Sequence, residues 1–299
     1  MRVEALIYDA FSEMPGKGNP AGVVLSGHEL SDYQMQQIAK ILNFNETAFV
    51  IRDNGNICLR YFTPGREVPM CGHATIATMY ALAKRGMVEP GITMIQTKSG
   101  TLEIEIIDDG FIKIGMQQVA YNELAYKGNI EEIAHVLGLK GNMLDDRYPI
   151  CYVNTGLWTL LVPIKKLSYF HDMCPHTKDF PGVLKEISTA SIHPFCTETY
   201  NENCQLHGRH FSSPYSGTIE DAVTGTASGA MGIYYQKYIC PSNENRRIRI
   251  EQGSEIGRDG IVEVEIPKEL SSTVKIYGTA VFSGKRNIGL ECNQGKDFI

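Results

Sequence analysis

The chain has 299 residues, 43% of them hydrophobic and 21% charged, ordinary globular values that exclude a disordered or collagen-like polymer. The length is generous for one core and comfortable for two. Lys and Arg number 28 against 34 Asp and Glu, a formal net charge of −6; duplex-binding proteins show the opposite balance, so nucleic acid is not an expected partner.

Met1–Tyr8 reads as a first strand rather than a signal peptide, because Glu4 interrupts its apolar run. No apolar run approaches the ~18 residues of a membrane helix, so no membrane partner is expected. Asn19-Pro20-Ala21-Gly22 reads as a tight turn between two apolar strands, with Asn19 a candidate site contact. Ser31-Asp32-Tyr33-Gln34 is a capping box, and Met35, Ile38, Ala39 and Leu42 follow at helical spacing, which predicts a helix over 32–43. Thr47–Ile51 is a strand, and a second helix runs from about His73 to Arg85, with Gly86 available for a left-handed cap. Leu102, Ile104 and Ile106 alternate with polar residues, and Asp109-Gly110 turns the chain into Phe111–Met116. Asn129 caps another short helix that Gly138 ends. The polar stretch from Lys285 to Ile299 reads as a loosely held tail. The eight cysteines form no C-x-x-C pair; with no export signal in view, reduced thiols in a cytoplasmic protein are expected.

The chain also repeats itself. Glu67–Ala74 overlays Glu220–Ala227 at an offset of 153, matching Glu, Gly and Ala, and the match extends to Ala77 against Ala230 and to Gly100 against Gly253. Each half then closes on an Asp-Gly turn, Asp109-Gly110 and Asp259-Gly260, and each has a Phe and a Pro upstream. The order is the same in both halves, so the chain reads as two copies of one α/β unit of about 150 residues. Each copy brings a glycine-led helix start, at Gly72 and at Gly225. Such ends present free backbone N–H groups and partial positive charge, so two of them across a cleft would cradle a carboxylate or an enolate. Gly225, Gly229 and Gly232 give the second helix a smooth face suited to close packing.

Glu46 is the best candidate for a proton-transferring group. It begins a strand whose period-two face carries Ala48 and Val50, and an apolar flank disfavours its charged form. Read locally, a Glu beside Asn at a strand start is more often a solvated turn residue. His73, at a helix start, is expected to stay neutral and to exchange hydrogen bonds, or merely to cap the helix. Asp221, just before the second helix, is a candidate polar contact or a loop-end acceptor. His171, Cys174, His176, Cys196, Cys204, His207 and His210 contain no paired zinc spacing, so no metal is expected. A Gly-x-Ser-x-Gly elbow, a Walker loop and a dinucleotide fingerprint are absent, so no nucleotide cofactor is expected.

Taken together, Tyr8-Asp9-Ala10-Phe11, Gly18-Asn19-Pro20-Ala21-Gly22-Val23, Asn45-Glu46-Thr47-Ala48-Phe49, Phe62-Thr63-Pro64, Cys71-Gly72-His73-Ala74-Thr75, Glu220–Ala227 and Glu251-Gln252-Gly253 resemble the phenazine-biosynthesis isomerase-like (PhzF-like) family. The ordered set covers the chain to about residue 284. The resemblance implies an α/β (α+β) fold of two pseudo-symmetric diaminopimelate-epimerase-like domains, each a mixed sheet wrapped around a central helix. The division is expected at 1–118 and 119–299, with the last strand able to return to the first domain. It implies a cofactor-independent, homodimeric isomerase that moves a proton along an allylic system in a small carboxylated substrate. The family's catalytic Glu maps onto Glu46, its Gly-His onto Gly72 and His73, its Asp onto Asp221 and its small hydroxyl residue onto Thr226. Related racemases and epimerases use two cysteines, one at each helix start. Here Cys71 holds the first position but Thr224 the second, and a hydroxyl is a far poorer acid/base than a thiol. The alternatives left open are a racemase pairing Cys71 with Glu46 or Asp221, a lyase step from the same residues, and a non-catalytic small-acid-binding protein.

Overall fold

The computed structural model describes residues 1–53, 55–269 and 273–290. Two helices that are apolar on every side explain the architecture. In Gly72–Lys84 the run His73–Met79 is buried, together with Ala81 and Leu82. In Gly225–Tyr234 every residue except Thr226 is buried. A helix without a polar face must be enclosed, and strands enclose both.

Around Gly72–Lys84 the strands follow one another by pairing: Ala280–Gly289, Arg2–Ala10, Asn19–Val24, Thr47–Asp53, Asn56–Phe62, Gly91–Thr97, Gly100–Asp108 and Ile112–Gln117. Around Gly225–Tyr234 the order is Lys275–Gly278, Gly260–Ile266, Arg246–Gln252, Leu206–Gly208, Ser191–Cys196, Trp158–Pro163, Cys151–Asn154 and Asn122–Ala125. Ile112–Gln117 and Lys275–Gly278 run antiparallel and join the two halves. The mixed α+β architecture expected from the sequence is therefore present, with a wrapped helix in each half.

The helix Asp32–Leu42 lies outside the first wrap. Met35, Ile38, Ala39 and Leu42 pack in a cluster with Val24, Phe49 and Phe62. Its capping box is formed, and Asn43 closes it in the left-handed region at φ 57°.

The repeat extends to side chains that the sequence overlay did not use. Arg60 grips Glu67 through Nε and Nη2 at 2.7 and 2.8 Å, and Arg209 grips Glu220 at 2.8 and 2.7 Å. Each arginine lies over a phenylalanine two residues on, Phe62 at 5.2 Å and Phe211 at 4.7 Å. One turn into each helix a hydroxyl bonds back to the N-cap carbonyl, Thr75 to Cys71 and Ser228 to Thr224.

Two expectations are corrected. Asn19–Gly22 is not a turn: it opens the strand Asn19–Val24. Pro20 precedes Gly22, where the parallel pairing with Thr47 begins, so its missing N–H interrupts none of that ladder. The reversal lies upstream, where Gly16 and Gly18 take φ of 84° and 69°. A Cβ at Gly18 would stand 2.3 Å from the Ala10 carbonyl oxygen. The polar stretch from Lys285 to Gly289 is not a loose tail either; it completes the strand Ala280–Gly289, paired with Arg2–Ala10. Its charges face outward, as Lys285 does in bonding Glu4 at 2.9 Å. Residues 291–299 of that expected tail lie outside the described residues.

Candidate active site

The strand pair that joins the halves also sets the helix starts side by side. Met116 and Ile276 are partners across it. A Cβ on Gly72 would meet the Met116 methyl at 3.3 Å, and one on Gly225 would meet Ile276 at 2.5 Å and Phe11 at 3.3 Å. A side chain at 225 would thus crowd the buried Ile276 and Phe11. Gly229 and Gly232 pack against Val274 and Val264, the close-packed face expected of this helix.

Glu46 stands one residue before its strand, where its carbonyl accepts the Gly22 N–H at 3.2 Å. Its side chain is 21% exposed, and its Oε2 lies 3.4 Å from His73 Nε2. Cys71, the N-cap of the first central helix, lies beside the same ring, with Sγ 3.4 Å from Nδ1 and 3.9 Å from Nε2. Burial raises the Glu46 carboxyl above its ordinary range; the His73 charge opposes this and the Asp221 charge adds to it. Burial, with the nearby Glu46 charge, holds the Cys71 thiol well above its ordinary value. At neutral pH the thiol is protonated, so no thiolate is available as a base, and the carboxyl is the group left to take a proton.

The second half contributes a hydrogen-bonded group. Asp221 sits in the short strand Glu220–Asp221. Its Oδ1 accepts Asn19 Nδ2 at 2.7 Å, and its Oδ2 accepts the Thr224 hydroxyl at 2.6 Å. Asn19 Nδ2 also donates to the Val223 carbonyl at 2.9 Å, so this first-half residue ties the two halves at the site. Thr226 is half-buried. Its carbonyl accepts the Thr155 hydroxyl at 2.7 Å, and its own hydroxyl makes no hydrogen bond to the described residues.

The sequence reading missed Gln252 as a functional side chain. Its Oε1 accepts the Thr224 N–H at 3.1 Å, and its Nε2 donates to the Asp221 carbonyl at 2.8 Å and to the Thr224 hydroxyl at 3.2 Å. It thus fixes the backbone on both sides of the second helix start. The signal was present in Glu251-Gln252-Gly253, but nothing local said which way the amide points.

Glu46, Cys71 and His73 also form a donor set within 4.8 Å of one another, a grouping hidden from sequence spacing. His73 Nε2 lies 3.4 Å from Glu46 Oε2 and 3.9 Å from Cys71 Sγ. A separate cavity of about 630 Å³ lies along Phe11, Met14, Lys113, Arg249 and Tyr277. It includes none of Asn19, Glu46, Gly72, His73, Asp221, Gly225 and Thr226.

Comparison with known proteins gives the family of the chain. The model of the phenazine biosynthesis-like protein family, PhzC-PhzF, matches residues 8–286. The chain is 47% identical over 288 residues to the Bacillus subtilis isomerase YfhB, covering 95% of this chain and 97% of that one. It is 28% identical over 291 residues to the trans-2,3-dihydro-3-hydroxyanthranilate isomerase of Pseudomonas chlororaphis, covering 95% and 99%. The crystal structure of a Bacillus anthracis protein of the PhzF family superposes with a TM-score of 0.94 at 45% identity, over 97% of this chain and all of that one. A probable proline racemase of Agrobacterium radiobacter, 12% identical with a TM-score of 0.61, shares the fold alone. The chain therefore belongs to the phenazine biosynthesis-like (PhzC-PhzF) family and is an isomerase on the diaminopimelate-epimerase-like fold.

Proposed function

We propose that the chain is a cofactor-independent isomerase that shifts a proton on a small carboxylated, unsaturated substrate, with Glu46 as general acid/base. The observation that carries this reading is the Glu46 carboxyl, mostly enclosed, raised by burial, and 3.4 Å from His73. A base of that kind works best near its operating pH. The Glu46 carboxylate takes a proton from carbon, and the electron pair left behind delocalises through the substrate's double bond. The same carboxyl returns the proton to a carbon two positions away, so the double bond moves and nothing is oxidised or reduced.

Backbone N–H groups at Gly72 and Gly225, with the free Thr226 hydroxyl, stabilise the charge that develops. His73 holds the Glu46 carboxyl in place, while Asn19 and Asp221 meet the substrate's polar groups. The two halves are read as domains divided at 118/119, and water is excluded when they close on the substrate. A homodimer in the cytoplasm that acts on small molecules, without nucleic acid or membrane partners, completes the reading. Among the described residues no helix is long and apolar enough to cross a membrane. The name of the Pseudomonas relative makes trans-2,3-dihydro-3-hydroxyanthranilate the first substrate to assay.

A two-base racemase centred on Cys71 is the competing reading, because that thiol also faces His73. Turnover by Cys71→Ser separates the two. The proposal expects less than a ~10-fold loss, since the thiol is protonated and takes no proton from carbon. Abolished turnover in a folded variant would favour the racemase.

A further inference from the structure

A pair of enclosed histidines lies behind Asp221. His193 is fully buried and His210 is 8% exposed, and their Nδ1 atoms are 3.1 Å apart. Burial lowers the pKa of both rings, most strongly that of His193, so both are neutral at pH 7. Between two neutral rings one Nδ1 must donate and the other accept. His193 Nε2 decides which. It is enclosed without a partner and packs so closely on Gly208 that a Cβ there would stand 2.4 Å away. An orphaned N–H at that place costs more than a bare nitrogen facing a C–H. His193 therefore carries its proton on Nδ1 and donates it to His210, which leaves His210 protonated on Nε2.

The open edge of His210 shares the site with Asp221. The two residues are direct partners across antiparallel strands, on the face opposite Arg209, Phe211 and Glu220. His210 Nε2 has no partner among the described residues and is not among the fully enclosed atoms. The Asp221 carboxylate beside it reaches Asn19 and Thr224, and its charge acts on both Glu46 and His210. The first half handles the matching place differently. Tyr61 pairs across from Val68, is fully buried, and ties its hydroxyl to Thr75 at 2.7 Å. One half spends its polar group internally; the other leaves an N–H free.

We propose that His210, with its proton held on Nε2 by His193, is a specificity-determining residue that joins Asp221 in binding a hydroxyl of the substrate. A donor beside a carboxylate acceptor reads a neutral group that can both accept and donate. An ammonium could use only Asp221, and a carboxylate would be repelled by it. The substrate carboxylate is then left to the helix starts at Gly72 and Gly225. This assignment rests on reading the cleft as the substrate site.

Two stable aromatic acids that differ by one hydroxyl, 3-hydroxyanthranilate and anthranilate, are the probes. Calorimetric titration of the full chain should show a ~10-fold preference for the hydroxylated acid, the size of one well-made hydrogen bond. His210→Leu should abolish that preference while leaving anthranilate binding unchanged, and His210→Gln, which keeps an N–H at similar reach, should restore part of it. Nitrogen-15 spectra of the histidine rings should show protons on His193 Nδ1 and His210 Nε2. A proton on His210 Nδ1, a preference that survives His210→Leu, or a wild type that does not distinguish the two acids overturns the proposal. If ring protonation and preference stand while Glu46→Gln still transfers the proton, the proposed chemistry fails and the hydroxyl site remains.

Discussion

Glu46 owes its character to residues far from it in sequence. Ala48 and Val50 are fully buried, so the apolar flank legible in the sequence is real. The upward shift of its pKa is dominated by burial, and its neighbours are His73, Cys71 and Asp221. His73 and Cys71 come from its own half, whereas Asp221 comes from the other and reaches it only because two wraps meet at one strand pair, so local patterning did not show the group and only the family resemblance named it. The shift has a consequence for stability. A carboxyl whose folded pKa lies above its unfolded value of 4.5 supports the fold fully below pH 4.5. That support is lost as the pH rises through the folded pKa. Glu46→Gln is thus expected to unfold at a higher temperature than wild type at pH 7, with the gap closing as the pH falls toward 4.5. Melting curves at several pH values check this; a gap that grows on acidification would contradict it.

At the scale of elements, the twin arginine–glutamate grips are alike in geometry but not in what remains when one is cut. Arg209 and Glu220 are 8% and 11% exposed. Arg209→Ala leaves a mostly enclosed carboxylate and is expected to cost about 3–5 kcal/mol. Glu67, by contrast, is also reached by Lys98, so Arg60→Ala should cost less. Urea unfolding of the two variants compares them directly, and equal losses would contradict the argument. These grips explain why the sequence offset drifts. Arg60 to Arg209 spans 149 residues, whereas Glu67 to Glu220 spans 153. The extra four residues lie between the gripping strands, where the tight turn at Thr63–Arg66 becomes the longer loop Ser212–Ile219. The overlay of Glu67–Ala74 on Glu220–Ala227 was legible because helix starts tolerate little change. The Asn19 strand was misread because a proline and a glycine together look like a turn; only the neighbouring strand reveals that no N–H is needed at position 20.

For the whole molecule, the length of 299 residues resolves into two wrapped helices joined by Ile112–Gln117 and Lys275–Gly278. The first and last strands of the described chain lie side by side, so the closing strand belongs to the opening half, a long-range pairing that local patterning cannot reveal. Family membership was legible in the ordered motifs, whereas the contacts of Gln252 and His210 needed coordinates. The central claim is that one carboxyl carries the proton. The most direct measurement is NMR of product formed from trans-2,3-dihydro-3-hydroxyanthranilate in deuterated water, comparing wild type with Glu46→Gln. The account predicts a shifted double bond with wild type and a roughly 10²–10⁴-fold slower reaction and solvent exchange with the variant. Exchange by a folded Glu46→Gln at the wild-type rate would contradict it.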